Sequence, residues 1–271
     1  MTEQDQRPNA CVVTGPGVSS PADAGSTRYD NDFFDRLEEG SLASAAVIVP
    51  ILVGWLKPSS VVDVGCGRGA WLSVFKEQGV ERVLGIDGPY IDRKQLLIPE
   101  PSFLPADLAA MPKLAQRFDL AICLEVAEHL SWRHAEQLVA GLASLAPFVL
   151  FSAAVPGQSG VNHVNAQWPL YWVGLFSDHG LRCLDIVRPR IWRNGQVNFF
   201  YRQNIFLFAS EAGLSDRPDL LNEEAFGFDD LQLIHAGIFG QFQGVRGLLG
   251  HLPGAIRRAI TNRITRHRRR S

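Results

Sequence analysis

Four side chains stand out for the chemistry they could do together. Glu125 follows an apolar run ending at Leu124, with Glu128 and His129 three and four residues further on. Those spacings place all three on one side of the turn that follows. A later loop, Gly157-Gln-Ser-Gly-Val-Asn-His163, supplies a second imidazole. Two carboxylates and two imidazoles suit a divalent cation with open positions for oxygen ligands, Mg²⁺ or Mn²⁺. A cation of that kind lowers the pKa of an alcohol and fixes its oxygen for attack. Without a metal, His129 or His163 could instead serve as a general base near neutral pH. In the blandest reading the Glu-His pair is structural.

A second constellation lies upstream. Asp63-Val-Gly65-Cys66-Gly67-Arg-Gly69 sits between a strand-like run and an amphipathic stretch, where glycines let the backbone approach a ligand at a helix N-terminus. Asp87 follows about 20 residues on, where a carboxylate accepts ribose hydroxyls. Ala106-Asp107-Leu108 comes after the next short apolar run, and its carboxylate could take an exocyclic amine. A dehydrogenase fingerprint reads G-x-G-x-x-G, whereas the spacing here is G-x-G-x-G.

Positioning these groups calls for alternating strands and helices. Strands are expected at Ser60–Gly65, Arg82–Ile86, Ser102–Leu104, Asp119–Leu124 and Phe148–Ser152, with two more near Leu184–Val187 and Asn204–Ala209. Helices are expected at Asp32–Glu39 (capped by Asn31), from Ser41 to Leu56, at Ala70–Gln78, at Trp132–Leu145 (capped by Ser131) and at Pro169–His179. Such alternation predicts a parallel α/β sheet covered on both faces, its last two strands pairing antiparallel at one edge. The loops after strands four and five would then open together at the C-terminal edge of the sheet, where ligands bind.

Composition agrees. The chain of 271 residues is 46% hydrophobic and 20% charged, enough for a core without disulfides or a structural metal. Cys11, Cys66, Cys123 and Cys183 form no C-x-x-C pair, which fits a reducing cytoplasm. The formal charge is −2, but seven arginines and no acid lie between Arg257 and Arg270; removing them leaves about −9. That body makes nucleic acid an improbable partner, and the tail reads most simply as a solvated end. The apolar run Leu42–Leu56 contains Pro50 and Gly54 and falls short of a bilayer span, so no integral membrane segment is expected. The division read from the chain is a disordered tail (1–28), a catalytic domain (29–210), a helical extension (211–256) and a basic tail (257–271). A homo-oligomer is compatible with all of this.

Val62-Asp-Val-Gly-Cys-Gly-Arg-Gly69, Gly85-Ile-Asp87, Ala106-Asp107 and Phe118-Asp-Leu-Ala-Ile-Cys-Leu-Glu125 together resemble the successive motifs of class I S-adenosylmethionine-dependent methyltransferases. The resemblance implies an α/β, Rossmann-like seven-stranded sheet of order 3-2-1-4-5-7-6, plus here a C-terminal helical extension. It implies that Asp63, Gly65, Gly67 and Gly69 hold the methionine end of the cofactor, Asp87 the ribose and Asp107 the adenine amine. Cys66, Gly88, Leu108 and Glu125 join the cofactor-binding set.

The Glu125-x-x-Glu128-His129 run with His163 further resembles metal-dependent O-methyltransferases of ubiquinone synthesis and enzymes that methylate a terminal 2′-hydroxyl of small RNAs. By that likeness Glu125, Glu128, His129 and His163 are the metal ligands. A looser resemblance, through residues 152–172, Arg188-Pro-Arg-Ile-Trp192 and Tyr201-Arg-Gln-Asn204, is to bacterial sugar methyltransferases of polysaccharide clusters. Gln158, Trp168, Tyr171 and Trp172 are then candidate acceptor contacts, although aromatic residues at helical spacing also suit a core. The expected activity is methyl transfer to a hydroxyl of a sugar or other small acceptor, assisted by Mg²⁺ or Mn²⁺. The alternatives are a metal-independent methyltransferase for phenols or amines, an RNA 2′-O-methyltransferase, and a silent binding module.

Overall fold

The computed structural model describes residues 31–240, with side chains over 38–238 except residue 228. The expected polar start (1–28) and basic tail (257–271) lie outside the described residues, as does most of the second half of the extension. Seven strands form one sheet of order β3-β2-β1-β4-β5-β7-β6: β1 Ser60–Val64, β2 Arg82–Asp87, β3 Phe103–Pro105, β4 Leu120–Leu124, β5 Phe148–Ser152, β6 Leu181–Leu184 and β7 Phe206–Ser210. The first five are parallel, and β7 runs antiparallel to both β5 and β6. This is the class I methyltransferase sheet.

Alternation along the strands divides the core into two layers. Val61, Leu120, Ile122, Leu150 and Leu207 face α1 (Asn31–Leu56), α2 (Ala70–Glu77), α5 (Val187–Ile191) and α6 (Phe199–Asn204). Val62, Val64, Ala121, Cys123, Val149, Phe151 and Phe208 face α3 (Ala135–Leu145) and α4 (Pro169–Asp178). Phe176 of α4 stacks on Phe208 with centroids 3.9 Å apart. Each such fully buried aromatic or branched side chain contributes about 1.5–3 kcal/mol through removal from water.

Several local expectations shift. Two helices were expected before β1, but α1 is continuous: Ser41 spends its hydroxyl on Tyr201 (3.2 Å) and caps nothing, while Ser44 bonds back to Gly40 within the helix. The stretch Glu38–Leu56 of α1 is therefore long and apolar enough to cross a membrane, beyond the shorter run read from sequence. Its inner face, Ala45, Ile48, Val49, Leu52 and Leu56, is packed in the core. The helix expected from Trp132 begins with a 3₁₀ turn, Trp132–His134, and Ser131 makes no side-chain cap.

Further along, β6 ends at Leu184, and Asp185 accepts the guanidinium of fully buried Arg188 in the first turn of α5. The same guanidinium donates to the carbonyls of Gln203 and Asp230 and lies over the Phe206 ring. One buried cation thus ties the β6–β7 connection, where two short helices replace the plain link expected, to the segment after α7 (Glu211–Asp216). That segment holds short helical turns and α8 (Ala236–Gly240) and, among the described residues, no strand. At the opposite edge of the sheet from the ligand loops, Asp119 Oδ2 accepts both amides and both hydroxyls of Ser59 and Ser60 (2.7–3.0 Å), pinning β4 to β1.

Candidate active site

The C-terminal ends of β1 and β2 build the first half of the site. Gly65 and Cys66 donate their amides to the Ile86 carbonyl, so the turn folds back over β2. Gly65, Gly67 and Gly69 have φ of +89°, +54° and +91°. At Gly65 a side chain would also collide with Val126, since a Cβ there would lie 2.2 Å from its Cγ2. Asp63, buried at the end of β1, has its carboxyl pushed well up by burial and by the charge of Asp87. Asp87 accepts from the amides of Gly67 (2.7 Å, Oδ2) and Gly88 (2.6 Å, Oδ1), and Oδ1 also accepts the hydroxyl of Tyr90 at 2.5 Å. Tyr90 itself is 71% exposed. The Tyr90 ring lies across Gly88, where a Cβ would come within 2.0 Å of it.

The second half stands over β4 and β5. Glu125 has φ +56°, a conformation costly for a residue with a side chain, at the point where the chain leaves β4. It is held there from three sides. Its amide donates to Ser152 O (3.0 Å) and to Ser152 Oγ (3.1 Å), Gln158 Nε2 donates to Oε2 (2.8 Å), and Asn204 Nδ2 donates to Oε1 (3.1 Å). Asn204 also donates to Gln158 Oε1 (2.8 Å), closing a ring of three side chains drawn from the end of β4, the loop after β5 and the end of α6.

Three residues later the chain makes a 3₁₀ turn, Ala127–His129. The Glu128 carbonyl accepts the amides of Val164 (2.9 Å) and Asn165 (3.0 Å), strapping the β5 loop down and bringing His163 beside His129, ring centroids 5.1 Å apart. Gly160 lies beneath the His163 ring, where a Cβ would fall 2.1 Å from Nε2. Donor atoms of Glu128, His129 and His163 come within 4.8 Å of one another. Glu128 is buried, and among the described residues neither of its carboxyl oxygens has a hydrogen-bond partner; the same holds for His163 Nδ1.

The electrostatics follow from this burial. Glu128 is pushed well above the usual carboxylate range by burial and then by the charge of Glu125. Burial raises Glu125 as well, against the bonds from Asn204, Gln158 and Ser152 that favour its charged form. Burial lowers His129 despite nearby carbonyls of Asn162 and Val161, and lowers His163 together with repulsion from His129. Both imidazoles are thereby favoured in the neutral form that binds metals or accepts protons. A nearby cation would stabilise the charged carboxylates.

One cavity of about 440 Å³ joins the two halves. Of the expected residues it is lined by Asp63, Gly65, Cys66, Gly67, Glu125, Glu128, His129, Gln158 and His163. Glu125 is not part of the metal-capable trio, because both of its oxygens are engaged by Gln158 and Asn204. Gly69, Asp87, Gly88, Asp107 and Leu108 do not line the cavity. Asp107 spends a carboxyl oxygen on the amide of Ala109, capping its own turn.

The aromatic acceptor contacts need correction. Trp172 is 3% exposed and packs on Phe151 at 5.0 Å, so it is core. Tyr171 is half-buried against the same layer, and Trp168 is exposed outside the cavity lining. Proline at the first position starts α4, whose buried residues Pro169, Trp172 and Phe176 turn to the core. Lining residues not among the expected site residues are Arg68 within the glycine turn and Trp71 just after it, and, from farther along the chain, Glu38 and Ser41 of α1 and Phe200 and Tyr201 of α6. Arg68 lies within the glycine motif and Tyr201 and Asn204 within the Tyr201-Arg-Gln-Asn204 stretch, but no local pattern places Glu38, Ser41, Trp71 or Phe200 at the cavity.

A family model described as a methyltransferase domain matches residues 43–194, more than half of the chain. A comparison with curated protein sequences returned no match. Among solved structures, the fold is similar to that of the sugar N-methyltransferase KedS8 from Streptoalloteichus sp. ATCC 53650, at 15% identity and a TM-score of 0.54, covering 73% of this chain and 99% of that one. It is also similar to an O-methyltransferase family protein from Burkholderia thailandensis, at 16% identity and a TM-score of 0.51; 66% of this chain is covered, and the match spans only 57% of that protein. DesVI from Streptomyces venezuelae aligns at 14% identity and a TM-score of 0.50, covering 66% of this chain and 97% of that one. With the glycine turn, the strand order and the matched domain in agreement, the chain belongs to the methyltransferase domain family and is a class I S-adenosylmethionine-dependent methyltransferase.

Proposed function

We propose that this methyltransferase acts on a hydroxyl of a sugar or oligosaccharide and uses a divalent cation held by Glu128, His129 and His163. The observation that carries the metal reading is the clustered trio, with two buried Glu128 oxygens and His163 Nδ1 lacking any partner among the described residues. Buried polar atoms left unpaired cost free energy that a ligand repays. When bound, the cation would supply Lewis acidity to a hydroxyl whose own pKa lies far above neutrality. With Glu125 engaged elsewhere, the donor set holds two imidazoles to one carboxylate, which favours a transition ion such as Mn²⁺ over Mg²⁺.

The chain's own groups do the rest. The Gln158–Asn204–Glu125 ring fixes the floor between cofactor and acceptor, and the turn from Gly65 to Gly69 admits the cofactor backbone-close. The acceptor oxygen bonds to the methyl carbon as the carbon–sulfur bond breaks to leave a neutral thioether. With both imidazoles as ligands, each would carry a hydrogen on its remaining nitrogen, so the hydroxyl proton passes to solvent water. Supporting a saccharide are the polar loop Gly157–Gly160 at the cavity wall and the stated activity of KedS8 on a sugar.

The deciding experiment is transfer of labelled methyl from S-adenosylmethionine into a panel of mannosides, glucosides and catechols, with and without EDTA. Transfer to saccharides that EDTA abolishes and Mn²⁺ or Mg²⁺ restores is expected; full activity in rigorously metal-free buffer would sink the metal assignment. A second reading, a metal-free enzyme with a histidine base acting on a phenol or amine, is favoured by the lowered pKa of both imidazoles. EDTA-resistant methylation of the catechol would select it.

A further inference from the structure

Helix α6 serves the cavity on one side and is bonded to the C-terminal extension on another. Tyr201 lines the cavity; its hydroxyl lies 3.2 Å from that of Ser41 and accepts the indole N–H of Trp71 at 3.4 Å. Asn204, three residues on, donates to Glu125 and Gln158, both of which also line the cavity. Gln203, next to it, is 1% exposed and spends both ends of its side-chain amide on the extension. Its Nε2 donates to the Leu233 carbonyl at 2.7 Å, and its Oε1 accepts the amide of His235.

Two further contacts close the same joint. Buried Arg188 donates to the carbonyls of Gln203 (3.3 Å) and Asp230 (3.0 Å), so one guanidinium spans α6 and the extension. Gly237 of α8 packs on the start of α6, where a Cβ would lie 2.6 Å from that of Phe199. Both partners in this joint lie beyond residue 194, where the match to the family model ends.

A helix of six residues has too few internal hydrogen bonds to fix its own place, so its tertiary partners set it. The left-handed conformation of Glu125, φ +56°, likewise persists only while its surroundings hold it. Asn204 is one of the groups that hold it.

We propose that Gln203 is a positioning residue for methyl transfer and that residues 230–238 brace α6 against the cavity. The route runs from the brace through Gln203 to Asn204, and from there to Glu125 and the loop that begins near Gln158. It rests on the methyltransferase activity of the family and is independent of the metal and of the acceptor's identity. The cradle at β1 and β2 lies off this route, since Asp87 takes its bonds from Gly67, Gly88 and Tyr90.

Gln203→Met keeps the length of the side chain and removes both bonds to the extension. In hydrogen-exchange measurements on the full chain, peptides over 121–130 and 156–165 should exchange about tenfold faster, with those over 82–105 unchanged. Labelled methyl transfer into the best acceptor of the saccharide and catechol panel should slow roughly 10–100-fold, as for a misplaced site, with S-adenosylhomocysteine affinity within about twofold. Because the route passes through Asn204, Gln203→Met combined with Asn204→Ala should be no slower than Asn204→Ala alone.

If Gln203 is only a stabilising contact, the melting temperature falls, exchange rises in α6 and the extension alone, and the two losses in rate multiply. That result overturns the proposal, as does exchange raised evenly along the whole chain. Should Gln203→Met fail to fold, Gly237→Ala, which presses a Cβ against Phe199, tests the same route from the extension's side. With no acceptor methylated, the exchange pattern decides alone: faster exchange at 121–130 and 156–165 supports the brace, and none there removes it. Absence of S-adenosylhomocysteine binding by the unaltered protein would overturn the cofactor assignment and leave that pattern as it is.

Discussion

The two halves of the cavity differ in how their polar groups are satisfied. On the β1–β2 side, Asp87 is saturated by the amides of Gly67 and Gly88 and by Tyr90, all within a short stretch of chain apart from the turn itself. On the β4–β5 side, Glu125 is satisfied by Gln158 and Asn204, while Glu128 and His163 keep atoms without partners among the described residues. The first half is a preformed cradle whose shape comes from backbone. The second is assembled from segments distant in sequence and leaves those atoms without hydrogen-bond partners among the described residues. A cradle tolerates side-chain change and resists backbone change; an assembled cluster does the reverse.

The contrast can be broken most severely at Glu128. Glu128→Gln keeps the volume but replaces an anionic donor, and turnover is expected to fall by roughly 10²–10³ while S-adenosylhomocysteine binding stays within about twofold, on the scale of a lost metal-binding group. Equal losses in turnover and cofactor affinity, measured by single-turnover assay and calorimetry, would erase the division between the halves. The backbone counterpart is Gly65→Ala. Positive φ costs about 1–2 kcal/mol for an alanine, and the 2.2 Å approach to Val126 adds to it. Cofactor affinity should drop at least tenfold, with the metal-capable trio still able to bind Mn²⁺ in an electron-paramagnetic-resonance titration.

A smaller effect sharpens the cradle. Tyr90 donates to the Asp87 oxygen that the family resemblance assigns to the cofactor ribose, so phenol and ribose compete for it. Tyr90→Phe removes the competitor and should raise cofactor affinity by about two- to tenfold, the worth of one hydrogen bond. Weaker binding would mean that the hydroxyl contacts the cofactor instead of excluding it.

The smallest effect is a control at the far edge of the sheet. Burial pulls Asp119 upward, but the bonds from Ser59 and Ser60 outweigh it and hold the carboxyl below its ordinary value. A lowered folded-state pKa means stability that is present above the unfolded value of about 4 and lost as pH falls through the folded value. Asp119→Asn should therefore cost about 1 kcal/mol or less near neutrality, since the group is exposed. The difference in melting temperature from the unaltered chain should shrink on acidification, and turnover should not change.

How much of the molecule was legible in sequence tracks the range of its contacts. The glycine turn, Asp63 and Asp87 were legible because strand, turn and following helix are contiguous. Glu128 and His129 were legible for the same reason, and His163 because it follows the neighbouring strand. Trp172 was misread because helical spacing states that residues share a face without stating which way the face turns. Glu125 was expected among the metal donors from its spacing, which carries no sign that Asn204 of α6 donates to one of its oxygens. The β6 boundary was misplaced because local strand preference extends over Ile186 and Val187 and carries no sign of the Asp185–Arg188 pair at the start of α5.

By itself the sequence determined the sheet, its strand order through a family likeness, and the cofactor turn, since all depend on periodicity and on glycines at fixed local positions. Only the tertiary structure decided that α1 reaches over the cavity with Glu38 and Ser41, that α6 delivers Asn204 and Tyr201, and that three of four expected metal donors cluster while the fourth is engaged elsewhere. The physical reason is the directionality of polar groups. A buried carboxylate goes where its donors are, and those donors are set by packing between elements far apart along the chain.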